Sequence, residues 1–371
     1  MITDQGQVYE DVAGGPLRPG LRYESDWWQE NHPGVTATME PSSDNVLHSG
    51  DERTVRTTYN PLVQYAFVRC QARLAVLPDR LEAHRSQLLA ERAWAYGQGR
   101  GHDQRTLFLA EELLAAARLL SLDSPSVNAE RLTTLTETLL ARQNQQAGMA
   151  LRGFFMETHG DGYRSIAYST APVLALLEAH ETWAKQRKND LAMRIKEAVR
   201  CYLDEYLLAD AASNGFGLTP YGVYQKPPFA EKQIFRPIGK GYFVRSFVHL
   251  YDQVPIPHGT SSVVAAQAHL LAKAGHLWQR NDWMEHAQLL IQWLLGHNPE
   301  ALSLFTGIGF RHPHAGSFHI HKVPDAPVAG FIGSPEDLPY LETTNAVEWS
   351  TQESWDTPFF YLVQAMPYLY D

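Results

Sequence analysis

The sequence predicts an all-α fold, arranged as an (α/α)6 toroid of helical hairpins. Apolar residues recur at helical spacing through most of the 371-residue chain. The loops between the predicted helices alternate between very short and very long, as expected where the long loops gather at one end of a toroid. No self-similarity appears at a period of about 34 to 47 residues, which disfavours a regular helical solenoid. With 44% hydrophobic residues, the chain can bury a large core.

The N-terminal 45 residues are rich in Gly, Pro, Ser and Asp and have no sustained period. We expect residues 1–45 to form an extended arm packed on the main body, and residues 46–371 to form the (α/α)6 domain. In that body, Asn60 is a suitable N-cap and Pro61 suits a first helical turn. Helical patterns follow at Val63–Leu77, Leu107–Leu120, Leu132–Leu140, Ala171–Trp183, Leu191–Leu208, Val263–Trp278 and Trp283–Leu294. A last helix is predicted to open at the N-cap Thr357, followed by Pro358.

Charge and cysteine content exclude several classes of function. The chain has 31 basic and 41 acidic side chains, a net charge of −10, which disfavours binding to nucleic acid or to anionic membranes. Its two cysteines, Cys70 and Cys201, allow neither a disulfide framework nor a Cys-based zinc site. Because both lie in helix-like apolar patterns, we expect both to be core residues.

The sequence carries no targeting or membrane signal that can be recognised. The start, MITDQGQVYEDVAGG, has no basic region followed by an apolar region, and no stretch approaches the ~18 apolar residues of a membrane span. As written, it predicts a cytoplasmic protein. A secreted or periplasmic protein whose leader had been removed would read the same.

Three motifs in the C-terminal third point to a family. They are the GTSS opening of a helix at 259–262, LGHNP at 295–299 and SLFTGIG at 303–309. Their order and spacing resemble the catalytic module of glycoside hydrolase family 9. The resemblance implies a six-hairpin glycosidase-like toroid with a sugar-binding cleft. The Gly- and His-rich loop around residues 301–322 would then form one wall of that cleft.

Further stretches resemble segments that line the family's cleft. The run RHPHAGSFHIHK corresponds to a Pro-His-His-Arg-like segment, which implies sugar contacts for Arg311, His312 and His314. His258, beside the GTSS motif, lies where the family brings a loop to the cleft. VPDAPVAGFIGSPED corresponds to a further Gly-rich loop of the family.

The resemblance also implies the catalytic carboxyls. HSGD, at residues 48–51, matches an Asp-Ala-Gly-Asp motif, so Asp51 corresponds to the catalytic base and His48 replaces the aspartate that helps hold the water. A neutral imidazole can also accept a hydrogen bond from water. For the general acid we favour Glu353 in TQESW, just before the last predicted helix. Glu348 in NAVEW is the alternative acid.

These residues predict an inverting glycoside hydrolase that acts on a β-linked glucan or related oligosaccharide. Inverting enzymes place two carboxyls roughly 6.5–9.5 Å apart, with the attacking water next to the base. The acid must be protonated near neutral pH, which an apolar wall favours. Trp349 and Trp355 are sequence neighbours of Glu353 that can form this wall and contact the sugar. The predicted partner is a carbohydrate, no cofactor is required, and the oligomeric state is not predicted.

Two other functions stay open. A non-catalytic carbohydrate-binding relative is supported by the His48 replacement, and a polysaccharide lyase is compatible with the same toroid and with the abundant Tyr and His. A metal site at His312, His314, His319 and His321 is the less favoured interpretation of these closely spaced histidines. In RPIGKGYFVRSF, the basic residues could contact an acidic sugar, but a solvated helix surface is favoured.

Overall fold

A computed structural model describes residues 2–9, 11–13, 54–157, 170–185, 189–225, 233–248, 259–313, 325–343 and 350–370. Helices dominate these residues, and the strands form three small antiparallel sheets. Packing divides the chain into two compact units. The first is built from residues 1–103 and 114–131, and the second from residues 104–113 and 132–371.

The elements follow in chain order. The helices are α1 (Pro61–Leu74), α2 (Arg80–Arg100), α3 (Thr106–Ser121), α4 (Ala129–Leu140), α5 (Ala171–Lys185), α6 (Asn189–Tyr202), α7 (Ser261–Trp278), α8 (Asn281–Leu294) and α9 (Thr357–Leu369). A π-helical segment, Leu203–Leu208, and a short turn of α-helix, Ala209–Ala211, continue from α6. The strands are β1 (Asp11–Ala13), β2 (Thr54–Arg56), β3 (Gly222–Gln225), β4 (Arg236–Gly239), β5 (Tyr242–Arg245), β6 (Ile332–Gly333) and β7 (Pro339–Tyr340).

In the first unit, the N-terminal residues 2–9 are fastened to α1 and α2 by one buried amide. Gln64 Nε2 donates to Gly6 O at 2.8 Å and to Ala93 O at 2.7 Å, while Gln64 Oε1 accepts from Val8 N at 2.9 Å. A buried amide with all of these partners is well satisfied. Most of the predicted N-terminal arm lies outside the described residues, so its boundary at residue 45 stays a prediction.

In the second unit, α7 is the central helix. It is buried on nearly all sides, as expected for a helix that is apolar all round, and it packs against α8, α9 and α5. Its one buried cation, Lys273, is paired with two glutamates of α5. The Lys273 Nζ lies 2.6 Å from Glu178 Oε1 and 3.0 Å from Glu181 Oε1. These partners offset the cost of burying the ammonium group.

The sequence analysis locates most helices, with four corrections. Asn60 caps α1 as predicted, its Oδ1 accepting from Leu62 N at 3.0 Å. However, α2 was not predicted, and the pattern at Leu191–Leu208 changes from α- to π-helix after residue 202. The N-cap of α9 is Asp356, so Thr357 is the first helical residue. Cys201 is buried as expected, but the expectation for Cys70 is wrong, because it is exposed.

Thiol reagents are expected to modify Cys70 alone in the native protein and both cysteines after unfolding. Cys70 is exposed, whereas burial raises the pKa of the Cys201 thiol to about 11, so its reactive thiolate is scarce at neutral pH. Mass spectrometry after iodoacetamide treatment, with and without urea, measures this. Cys70→Ser should abolish native labelling, and native modification of Cys201 would contradict the prediction.

Among the described residues, no helix combines the length and the apolar character needed to cross a bilayer.

Candidate active site

Of the predicted site residues, four lie in the described part of the chain: Arg311, His312, Glu353 and Trp355. The others lie outside it, namely His48, Asp51, His258, His314, Glu348 and Trp349. Because Asp51 is one of these, the described residues do not include the distance between Glu353 and Asp51.

Three of the motif stretches lie side by side in the second unit, held by backbone hydrogen bonds. The SLFTGIG loop pairs with residues 325–328, and residues 327–330 pair with residues 351–355. The first set is Val328 N to Leu304 O (2.9 Å), Thr306 N to Ala326 O (3.0 Å) and Asp325 N to Thr306 O (2.8 Å). The second set is Ala329 N to Glu353 O (2.8 Å), Trp355 N to Pro327 O (2.9 Å) and Gly330 N to Thr351 O (2.9 Å).

This arrangement fixes the backbone on both sides of Glu353. Its own carbonyl accepts from Ala329, and the N–H two residues later donates to Pro327, so the Glu353 side chain projects from a paired segment. The indole Nε1 of Trp355 donates to Glu353 Oε2 at 2.9 Å. The described contact between these two side chains is therefore polar, and the apolar wall expected from sequence stays a prediction.

Glu353 and Trp355 line an open cleft of about 590 Å³. The other lining residues are Asp325, Ala326, Pro327, Ser354, Asp356 and Phe359. A concave site of this size, with aromatic side chains and a few polar groups, is typical of small-ligand binding. Residues 314–324, which lie outside the described residues, lead directly into Asp325 in the sequence.

Arg311 and His312 make local contacts and are not among the lining residues of this cleft. Arg311 Nη1 donates to Glu300 O at 2.7 Å, and Arg311 O accepts from Ser303 N at 2.9 Å. His312 Nδ1 lies 3.0 Å from Pro313 O. These contacts shape the loop after SLFTGIG, and a role in sugar binding stays a prediction. No group of three or more metal-ligating side chains occurs in the described ranges.

The other motif residues serve the scaffold. Asn298 of LGHNP binds its own loop, since its Nδ2 donates to Trp293 O and Leu302 O, both at 2.8 Å. At the start of α7, Thr260 N donates to Phe331 O at 2.9 Å and Ser261 N to Ala329 O at 3.0 Å. The GTSS motif therefore holds the same strand-like segment that pairs with Glu353.

Gly259→Ala is expected to destabilise the protein by roughly 1–3 kcal/mol. A Cβ at residue 259 would overlap the backbone carbonyls of Ala329 and Gly330, which cannot rotate away. Urea unfolding measures the stability change, and Gly215→Ala, where a Cβ meets open space, is the control. Equal stability of the two variants would contradict the prediction.

The basic residues of RPIGKGYFVRSF belong to a hairpin of β4 and β5, so the helix-surface interpretation is wrong. Arg236 makes a bidentate pair with Asp210, at 2.7 and 3.0 Å. Arg245 is fully buried, with its Nε 3.6 Å from Asp337 Oδ1. Burial raises the pKa of the Asp337 carboxyl, and the positive charge of Arg245 opposes that rise.

Sequence reasoning missed six of the residues that line the cleft, namely Asp325, Ala326, Pro327, Ser354, Asp356 and Phe359. Asp325 has a left-handed backbone, with φ of 56°. Asp356 is the N-cap of α9 and Phe359 lies in its first turn. Only the helix-start signal at Thr357–Pro358 pointed to this part of the chain, and it did not show which side chains face the cleft.

Comparison with solved structures identifies the fold. The glycoside hydrolase family 9 endoglucanase J30 matches 100% of this chain and 61% of its own, with a TM-score of 0.63 and 17% identity. The chain has the glycoside hydrolase family 9 fold. A family 9 structure from Bacteroides ovatus matches 99% of this chain and 59% of its own, with a TM-score of 0.59 and 14% identity. The cellulase Cel9M of C. cellulolyticum, in complex with cellobiose, matches 86% of this chain and 68% of its own, with a TM-score of 0.52 and 14% identity.

These matches confirm the predicted all-α, (α/α)6 toroid. At this low sequence identity, the similarity to family 9 concerns the fold. The chain spans about three fifths of the length of endoglucanase J30 and of the Bacteroides ovatus protein. No protein-family model matches the sequence, and the comparison with curated proteins gives no match.

Proposed function

We propose that this chain is an inverting glycoside hydrolase acting on β-linked glucans or related oligosaccharides, with Glu353 as general acid and Asp51 as base. One observation carries the proposal. In a chain with the family 9 fold, the Glu353 carboxyl lines an open cleft together with the aromatic rings of Trp355 and Phe359. The catalytic domain is proposed to extend over residues 46–371, with residues 1–45 as an arm.

The chemistry follows from the two carboxyls. Glu353 Oε2 accepts a hydrogen bond from Trp355, which orients the carboxyl, and the protonated Glu353 gives its proton to the departing glycosidic oxygen. Asp51 removes a proton from the attacking water, which His48 helps to hold, and the two carboxyls are expected roughly 6.5–9.5 Å apart. His258, Arg311, His312, His314 and Trp349 are the proposed additional sugar contacts.

The charge of the cleft favours a hydrolase over a lyase that acts on uronates. Beside the protonated acid Glu353, its described lining includes the carboxyls of Asp325 and Asp356 and no Arg, Lys or His. A uronate chain needs cationic or amide groups to neutralise its carboxylates, whereas this cleft would repel it. A neutral glucan carries no such charge.

A substrate panel tests the proposal. The wild-type protein is incubated with cello-oligosaccharides, mixed-linkage β-glucan and oligogalacturonate, and new reducing ends, product anomers and unsaturated uronates are measured. The proposal expects new reducing ends from a β-glucan with inverted anomeric configuration. Ultraviolet-absorbing unsaturated products would indicate a lyase, and binding without any product would indicate the non-catalytic relative.

A further inference from the structure

The last helix, α9, has a second apolar face besides the one that is buried. Pro358, Leu362 and Ala365 form the buried face. The exposed face, which we call the α9 stripe, consists of Phe360 (55% exposed), Val363 (52%), Met366 (40%), Pro367 and Tyr370 (72%). Phe359 begins this face but lines the cleft, so it is not counted in the stripe. Residues 357–369 include no charged side chain. An exposed, contiguous apolar surface of this kind marks an interaction site.

The spacing of the α9 stripe fits another helix as its partner. Phe360, Val363, Pro367 and Tyr370 follow one another at intervals of three, four and three residues. This is the spacing by which one helix packs along another. In the second unit, α5 pairs with α6 and α7 with α8, whereas α9 packs mainly on α7 among the described residues. A further helix that lay along the stripe would give α9 a partner on its exposed side.

We propose that the α9 stripe is the interface of a homodimer, in which the α9 helices of two copies pack against each other around a twofold axis. A twofold interface brings the same surface of both copies together, so that surface must be compatible with itself. A stripe without charges meets this condition, because no like charges face each other across the axis. Over the rest of the surface, the net charge of −10 opposes the approach of a second copy. A lipid surface fits less well, since α9 lacks the Lys and Arg of helices that lie on membranes.

The charges near the start of α9 favour an antiparallel pair. Asp356 is the N-cap of α9, and it lines the cleft together with Asp325. A parallel pair would bring the acidic clefts of the two copies together, whereas an antiparallel pair separates them by the length of the helix. Antiparallel packing also places the N-terminal end of each helix dipole beside the C-terminal end of the other, which is the attractive arrangement.

The register and the area of this interface follow from the stripe. If the axis passes level with Ala365, then Val363 of one copy lies opposite Pro367 of the other, and Phe360 lies opposite Tyr370. From their exposed fractions, the side chains of the stripe offer about 450 Å² per copy, or roughly 900 Å² for the pair. This is close to the ~1,000 Å² lower limit of a specific interface, so we expect a weak dimer with a Kd on the order of 10 µM.

Sedimentation velocity of the full chain, at loading concentrations from about 1 to 200 µM, tests the dimer, since this range brackets the expected Kd. The wild type should change from a monomer of 41.8 kDa to about twice that mass. Val363→Glu should raise Kd at least about tenfold, because it removes an apolar contact and places like charges beside the axis. Leu289→Glu is the matched control, since Leu289 is 48% exposed but lies on α8, and it should change Kd less than about twofold. Circular dichroism first shows that each variant is folded.

A charge exchange tests the twofold axis itself. Val363→Glu and Val363→Lys should each stay monomeric at concentrations where an equimolar mixture of the two forms a dimer, because opposite charges then meet beside the axis. A mixture that associates no better than either variant alone would overturn the twofold pairing of α9. A wild type that stays at 41.8 kDa throughout would overturn the dimer. If Val363→Glu and Leu289→Glu dimerise with the same Kd, the copies meet at another surface and the α9 stripe is refuted as the interface.

Discussion

Glu353→Gln is expected to lower kcat for β-glucan hydrolysis by about 10²–10⁴-fold while leaving substrate binding nearly unchanged. The amide keeps the size of the side chain and can still accept the hydrogen bond from Trp355 Nε1, but it cannot supply a proton to the glycosidic oxygen. Steady-state kinetics with a cello-oligosaccharide measures the loss. An aryl β-glycoside with a good leaving group should lose much less activity, because its phenolate departs without protonation.

The matched control for this variant is Glu285→Gln. Glu285 is exposed on α8 and is not among the residues that line the cleft. The kcat of the Glu285→Gln variant should therefore equal that of the wild type. Glu348→Gln tests the alternative acid. A full loss of activity in Glu348→Gln with an active Glu353→Gln would transfer the acid role to Glu348. Activity in both variants would refute both assignments.

Several of the helices that were predicted from sequence have large apolar side chains on their buried faces. The central helix α7 is an example, with Leu270 and Leu271 fully buried. In contrast, α2 buries small residues and one tryptophan, namely Ser86, Ala90, Ala93, Trp94 and Gly97. A face of this kind gives almost no periodic hydrophobic signal, so the helix was missed although it has 21 residues.

The candidate site shows a similar contrast. Some of its residues can be located from local sequence signals, and others cannot. Glu353 was chosen because it precedes a helix-start signal, but the backbone at Glu353 and Trp355 is fixed by hydrogen bonds to Ala329 and Pro327, which are distant in the sequence. Phe359 and Asp325 face the same cleft because separate segments are brought together by backbone hydrogen bonds, such as that from Asp325 N to Thr306 O. Cross-segment pairing of this kind leaves no pattern in the sequence of either segment.

Asp337→Ala is expected to lower the free energy of unfolding by about 3–5 kcal/mol, because it removes one partner of a buried ion pair. The Asp337 carboxylate accepts from the backbone of Ser246 at 2.8 Å and of Phe247 at 3.1 Å. It also lies 3.6 Å from the Nε of Arg245, which is fully buried. Without Asp337, the two backbone N–H groups and the guanidinium charge lose a buried acceptor. Urea unfolding followed by circular dichroism measures the change.

Two comparisons make this result specific to the buried carboxylate. Glu336→Gln alters the adjacent carboxylate, which is exposed and accepts a hydrogen bond from Ser334 Oγ, so it should change stability by less than about 0.5 kcal/mol. Asp337→Asn keeps an oxygen acceptor but not the negative charge, and should therefore fall between Asp337→Ala and the wild type. Because Arg245 also donates to Ile234 O and Ser334 O, both at 2.6 Å, these carbonyls retain part of its stabilisation in every variant. If Asp337→Ala unfolds at the same urea concentration as Glu336→Gln, the buried guanidinium does not need Asp337 and the prediction is wrong.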